Sequence, residues 1–155
     1  MDNNDILRRL RYILNYNDAQ IQEVFAGVGQ SPNRETISRW LKRDEDDDFL
    51  CCPNVSLLLF LDGLILQKRG PRSGPPLKPE ELSNNLIFRK LRIAFSLQSD
   101  DILNVLQEEG LRLSKHELSA FFRRASHKHF RECLDQVLRK FLQGLGKSGK
   151  QQENK

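Results

Sequence analysis

No apolar run in this 155-residue chain is long enough to cross a bilayer. The longest, Val55–Leu66, is broken by Ser56, Asp62 and Gly63. Cysteine is scarce and odd in number, three in all, which argues against a disulfide framework and makes a reducing cytosol the expected compartment. A secretory leader is not expected, because Met1–Asp5 is polar and acidic and Arg8, Arg9 and Arg11 follow. Nowhere does hydrophobicity alternate with period two for long enough to argue for a strand. Catalytic signatures are missing as well. No cysteine has a recognisable base and orienting partner, and His116 reads as a surface residue. The consecutive acids Asp44–Asp48 lack the spaced ligands, glycine and distal glutamate of a calcium loop. Cys51, Cys52, His127, His129 and Cys133 are zinc-compatible types, but no close CxxC pair anchors them. We therefore expect no catalytic residue, no metal, no cofactor and no enzyme.

What is present is the composition of a soluble globular protein, 38% hydrophobic and 30% charged, with nine phenylalanines to fill a small core. The length suits one ordinary domain or two small ones. The net charge of +4 conceals an asymmetry. Residues 1–66 hold seven Lys/Arg against eleven Asp/Glu, residues 67–83 four against two, and residues 84–155 fourteen against eight. An acidic first half beside a basic second half implies either a one-sided basic surface or two complementary halves. Solvated faces of uneven sign are the plain alternative.

The chain repeats itself at an offset of 81 residues without a gap, with 18 identities over residues 3–64. Asn3-Asn4 returns as Asn84-Asn85. Ile6, Arg8, Leu10 and Arg11 return as Ile87, Arg89, Leu91 and Arg92, and Val24 returns as Val105. Cys52 returns as Cys133, and Leu57, Phe60, Leu61, Gly63 and Leu64 as Leu138, Phe141, Leu142, Gly144 and Leu145.

Each copy reads as four helices. The first has Ile6, Leu10, Ile13 and Leu14 at helical spacing, with Asn4 or Asp5 as its cap. The second follows Asp18 and ends at Gly27 and Gly29. The third starts near Ser31-Pro32 and buries Ile37, Trp40 and Leu41. The fourth follows Pro53 and runs to about Gln67. In the second copy the corresponding helices are expected over 84–97, 100–109, 114–124 and 131–145. The fold class is thus all-α: two tandem four-helix repeats, packed on a shared core. The expected boundaries are 1–67 for the first repeat, 68–82 for a linker, 83–146 for the second repeat and 147–155 for a disordered tail. The linker contains GPRSGPPLKP, Gly70–Pro79, whose prolines and glycines favour an extended basic tether.

The fourth helices differ. VSLLLFLDGLIL is apolar almost all round, and such a helix is expected to be buried on every side. LDQVLRKFLQGL is amphipathic. The surplus apolar face of Val55–Leu66 needs either the other repeat or a second copy, so a homodimer or protein partner is one reading.

The leading functional reading is a nucleic-acid backbone-binding protein, with RNA favoured over DNA. Arg8, Arg9 and Arg11 recur as Arg89, Lys90 and Arg92 on equivalent outward faces, where cations can hold a phosphate backbone in two places. Arg8, Arg11, Arg89, Lys90 and Arg92 are the primary candidates, and Arg123, Arg124, Lys68, Arg69 and Arg72 are secondary. A solvated face or local ion pairing is the competing explanation. Helices two and three of the first copy also resemble a helix-turn-helix, with Arg34, Glu35, Ser38, Arg39 and Lys42 toward the groove. Against that stand a long turn, the acidic run that follows, and the loss of the pattern in the second copy. The offset sets Asp44–Asp48 against Ala125–His129, an acidic loop against a His/Lys loop. We expect these to pair electrostatically, within a chain or between chains.

The opening NNDILRRLRYIL, the segment ISRWLKRDEDDDF and the LDGLIL-QKRG junction resemble the bacterial YehS family. The likeness extends to the second opening, NNLIFRKLRIAF, and covers Asn3 to about Leu145. The resemblance implies a small cytosolic bacterial protein of two tandem helical repeats. It implies no established activity, cofactor or catalytic residue.

Overall fold

The computed structural model describes residues 1–75 and 79–153, with side chains described as far as residue 148. Its eight helices are α1 (Asn3–Leu14), α2 (Asp18–Ala26), α3 (Arg34–Trp40), α4 (Asn54–Arg69), α5 (Asn84–Ala94), α6 (Ser99–Glu108), α7 (Lys115–Ala120) and α8 (Asp135–Glu153). No strand occurs among the described residues. The chain divides into two compact units, Met1–Leu82 and Ser83–Lys155, so the all-α tandem repeat expected from the sequence is the architecture observed.

The helix starts are set by short polar side chains that satisfy the otherwise orphaned first-turn N–H groups. Asp2, rather than Asn4 or Asp5, caps α1. Its carboxylate accepts the Asp5 N–H at 2.8 Å, and Asp5 reciprocates in a capping box. Asn17 and Gln20 form the same box at α2, and Ser114 and Glu117 at α7. Asn33 caps α3, so Ser31-Pro32 lies outside the helix. Gly29 and Gly110 take left-handed φ values of 76° and 83° just past α2 and α6, where a side chain would be strained.

Asn4 is inside the helix because it has another task. It is 2% exposed and bridges three backbone groups of the chain leading into α4. Its Nδ2 donates to the carbonyls of Trp40 (2.9 Å) and Leu50 (2.8 Å), and its Oδ1 accepts the Cys52 N–H at 3.0 Å. Asn3 adds donations to the Cys52 carbonyl (3.0 Å) and to Asn54 Oδ1 (2.7 Å). Asn85 and Asn84 repeat all five bonds, to Phe121, Arg131, Cys133 and Asp135. The staple explains why α7 stops at Ala120, well short of residue 124. The Phe121 carbonyl, like that of Trp40, goes to an asparagine side chain, and the chain turns away.

Each unit closes its own core. In the first, Phe25 of α2 meets Trp40 and Phe60, with ring centroids 5.9 and 5.5 Å apart. In the second, Phe88 of α5 meets Phe121 and Phe141, at 6.1 and 4.6 Å. Phe60 and Phe141 are equivalent across the repeat, but Phe25 and Phe88 are not. The counterpart of Phe25 is Leu106, and that of Phe88 is Leu7. All four are buried. The large ring is therefore supplied by α2 in one unit and by the helix before its counterpart in the other, at conserved total volume.

Helix α4 crosses α2, and α8 crosses α6, at glycine. A Cβ on Gly63 would stand 2.3 Å from the Val24 carbonyl oxygen, and one on Gly144 would stand 2.4 Å from Val105 Cγ1. This approach lets α4 bury Leu57, Phe60, Leu61 and Leu64.

Two expectations are corrected. Helix α4 is not buried all round: Val55 is 61% exposed, and Leu58, Leu59, Ile65 and Leu66 are only half-buried. One broad face suffices to cover α1 and α2, and α3 packs on α2. Where a disordered tail is expected from residue 147, α8 continues to Glu153. Its Lys and Gln residues are good helix formers that offset the glycines. The last two positions lie outside the described residues.

Candidate nucleic-acid interface

The primary cations lie on α1 and α5, opposite the buried stripe of Ile6, Leu7 and Leu10 and its counterpart. All are half-buried. Arg8 pairs with Asp5 and donates from Nη1 to the Lys42 carbonyl at 2.5 Å. Arg11 donates from Nε to the Tyr16 carbonyl at 3.2 Å and lies 3.6 Å from Asp18. Arg92 repeats this, donating to the Leu97 carbonyl at 3.3 Å and to Ser99 Oγ at 3.3 Å. Its guanidinium also lies over Phe122, 4.7 Å from the ring centroid.

The backbone explains the recurrence. Asn15 and Ser96, at φ 55° and 54°, turn the chain through the left-handed region just past the first helix of each repeat. The Tyr16 and Leu97 N–H groups then bond back to the carbonyls of Arg11 and Arg92 at 3.1 and 3.0 Å. The arginine side chain closes the same turn from outside. Arg11 and Arg92 are helix-end clamps, and Arg8 ties α1 to the chain after α3. Arg89 and Lys90 are half-buried, and neither is an unpartnered cation.

The helix-turn-helix reading fails on geometry. Helix α3 has seven residues, and the connection from Ala26 to Arg34 is long. Arg34 and Glu35 are exposed, whereas Ser38, Arg39 and Lys42 are half-buried. Arg39 Nε donates to the Asp48 carbonyl at 2.9 Å, and Lys42 Nζ lies 3.9 Å from the Asp48 carboxylate. Two cations expected to face a groove instead hold the acidic loop.

The corresponding loop of the second unit has the same backbone. Asp46 N–H donates to the Arg43 carbonyl at 3.0 Å, and His127 N–H to that of Arg124 at 2.9 Å. Phe49 and Phe130 N–H donate to the Asp46 and His127 carbonyls at 3.1 and 3.0 Å. Leu50 and Arg131 N–H donate back to α3 and α7, to the carbonyls of Arg39 and Ala120, at 3.2 and 3.1 Å. The side chains are opposite in sign. Residues 42–50 carry two Lys/Arg and five Asp/Glu, whereas residues 123–131 carry four Lys/Arg and no acid.

Arg124, Lys128 and both loop histidines are exposed. Arg123 is half-buried and makes two long contacts, 3.4 Å each, to the His129 carbonyl and Ser119 Oγ. Arg131 lies 3.6 Å from Glu117, an exposed carboxyl that hydrogen bonds from Ser114 hold below the usual carboxylate range. Among the described residues, Arg124 and Lys128 form no ion pair. The sequence reading places Arg123 and Arg124 among the secondary candidates, takes in Lys128 only as part of the His/Lys loop, and does not single out Arg131. The signal was present in the alignment of the two loops, where every acid of the first is replaced.

Lys68 and Arg69 end α4, exposed, where cations suit the helix dipole. Arg72 is exposed and donates to the Pro75 carbonyl. Lys78 lies outside the described residues. Cys52 and Cys133 are buried at equivalent helix starts, and burial pushes both thiols up to about 12. Cys51 is exposed. No group of three or more metal-binding side chains assembles among the described residues.

Residues 3–70 and 84–149 both match the family described as a protein of unknown function (DUF1456), one segment for each helical unit. The chain belongs to that family. Over 147 residues it is 46% identical to the uncharacterized protein YehS of Escherichia coli (strain K12), covering 94% of each chain. No solved structure matches it. No helix among the described residues is long and apolar enough to cross a membrane.

Proposed function

We propose that this protein is a non-enzymatic nucleic-acid-binding module that holds the phosphate backbone, RNA in preference to DNA, through its second unit. The observation that carries this reading is the surface of that unit. Arg112, Arg124 and Lys128 are exposed and form no ion pair among the described residues. Such cations release counterions when they meet phosphate, which is the main source of sequence-independent affinity. RNA is favoured because the helices at the helix-turn-helix position of each unit are short. Helix α3 is short and committed to the acidic loop, and α7 has only six residues. The absence of covalent chemistry is supported by Cys52 and Cys133, whose protonated, buried thiols are poor nucleophiles.

The test is a fluorescence-anisotropy titration of the full chain against an RNA hairpin, a single-stranded RNA and a DNA duplex at 50 and 200 mM salt. Micromolar or tighter RNA binding that weakens steeply with salt is expected. No binding to any of the three at 50 mM salt overturns the reading.

A further inference from the structure

We infer that the loop Arg123–Arg131 is the phosphate-binding site of the second unit, and that its counterpart over residues 42–50 is the same scaffold turned against phosphate. This assignment rests on the nucleic-acid reading above and gives it an address. Duplication supplies two loops with equivalent hydrogen bonds, so backbone geometry does not distinguish them. Charge does, by four cations without an acid against two cations with five acids.

In the first loop the acids are used locally. The Asp46 carboxylate accepts the Arg43 N–H at 3.0 Å, and Asp48 engages Arg39 through its carbonyl and Lys42 through its carboxylate. In the second, His127 takes the place of Asp46, and its Nδ1 accepts the His129 N–H at 3.0 Å. With Nδ1 accepting, the neutral ring carries its proton on Nε2. His127 thus offers a hydrogen-bond donor without needing a charge. Arg124 and Lys128 bracket it, exposed and with no carboxylate partner among the described residues. Arg123 and Arg131 stand at either end of the loop, with contacts of 3.4 to 3.6 Å to His129, Ser119 and Glu117. Two cations without an ion pair between two partnered ones suit a backbone running across the loop. The ligand class is the phosphodiester backbone of a nucleic acid.

Three proteins test this: the wild type, R124A/K128A, and a charge-exchanged chain bearing D44A/E45S/D46H/D47K/D48H. Each is titrated against the RNA hairpin and a DNA duplex of equal length across a salt series, with the urea midpoint as the control for folding. Because Arg124 and Lys128 are exposed, R124A/K128A is expected to keep its midpoint. It should lose at least fivefold in RNA affinity at 50 mM salt, and its log–log salt slope should shrink by about 1.4 to 1.8, the value for two phosphate contacts. The charge-exchanged chain should bind more tightly than wild type with a steeper slope. Wild-type binding with unchanged affinity and slope in R124A/K128A overturns the loop assignment while leaving the nucleic-acid reading intact. No binding by the wild type overturns both. Equal losses on RNA and DNA assign the loop to phosphate alone, whereas a loss confined to DNA contradicts the assignment.

Discussion

The side-chain oxygen of Asn4 accepts the backbone N–H of Cys52 at 3.0 Å, and Asn85 holds Cys133 in the same way at 2.9 Å. Between them these asparagines satisfy six backbone groups that would otherwise be left without partners at the turn into the last helix of each unit. Removing such a side chain strands buried polar groups and costs more than the bonds contribute net. Asn4→Ala is expected to lower unfolding stability by about 2 to 4 kcal/mol. Asn4→Asp should be comparably harmful, because a carboxylate cannot donate to the Trp40 and Leu50 carbonyls. Urea denaturation measures both, and a loss below about 0.5 kcal/mol for either, the range of an ordinary surface change, would contradict the staple.

The two glycine crossings differ in what obstructs them. At Gly63 the nearest atom to an added Cβ is a backbone oxygen, at 2.3 Å, and at Gly144 it is a side-chain methyl, at 2.4 Å. Gly63→Ala and Gly144→Ala should each destabilise by about 1 to 3 kcal/mol through overpacking. Val105→Ala should recover much of the loss at Gly144, whereas Val24→Ala should recover little at Gly63. Thermal melts of the four single and two double variants decide the point, and equal rescue at both sites would contradict it.

The exchanged rings predict a coupled pair. Leu7→Phe alone overpacks the first core, and Phe25→Leu alone leaves a void against Phe60. The double variant reproduces the arrangement of the second unit and should be more stable than the sum of the singles by about 1 kcal/mol or more. A double-mutant cycle in urea that returns simple additivity would reject the exchange.

The buried thiols set a pH dependence. An unfolded cysteine ionises near its ordinary value of 9.0, whereas Cys52 and Cys133 stay protonated to about 12. Unfolding above pH 9 therefore releases protons, and stability falls as pH rises from 9 toward 12. At neutral pH both states hold the proton and the effect vanishes. Cys52→Ala/Cys133→Ala should flatten the decline between pH 9 and 10.5 in urea midpoints. A thiol reagent at pH 8 should label Cys51 rapidly and the other two only on unfolding; three equally fast thiols would be inconsistent with this burial.

Much of the architecture was legible because it is written twice. Apolar spacing and the 81-residue offset located the helices, since helical periodicity is imposed by the core each helix must cover. The ends were harder. Asparagine favours the capping role, which makes Asn4 a cap candidate by sequence, yet its partners lie 36 to 48 residues away, beyond any local rule. The same kind of distant contact ties down two of the candidate cations. Arg8 and Arg11 are outward by helical phase, but their partners, the carbonyls of Lys42 and Tyr16, come from chain reversals that periodicity does not report. Lys128 enters the sequence reading only as part of a His/Lys loop set against Asp44–Asp48, because a single cation in a loop has no pattern of its own.

The relocation of the large ring, from α2 in one unit to α5 in the other, also limits how the halves can be recombined. A chimera that joins α1 to the helices of the second unit pairs Leu7 with Leu106 and leaves the ring's place empty. The reciprocal chimera pairs Phe88 with Phe25 and asks one pocket to hold two rings. A crossover at the linker between Arg69 and Asn84 keeps both complements whole. Descendants of the duplication can thus trade entire units but not single helices, and each unit is an indivisible unit of inheritance even though its outline still matches its sibling.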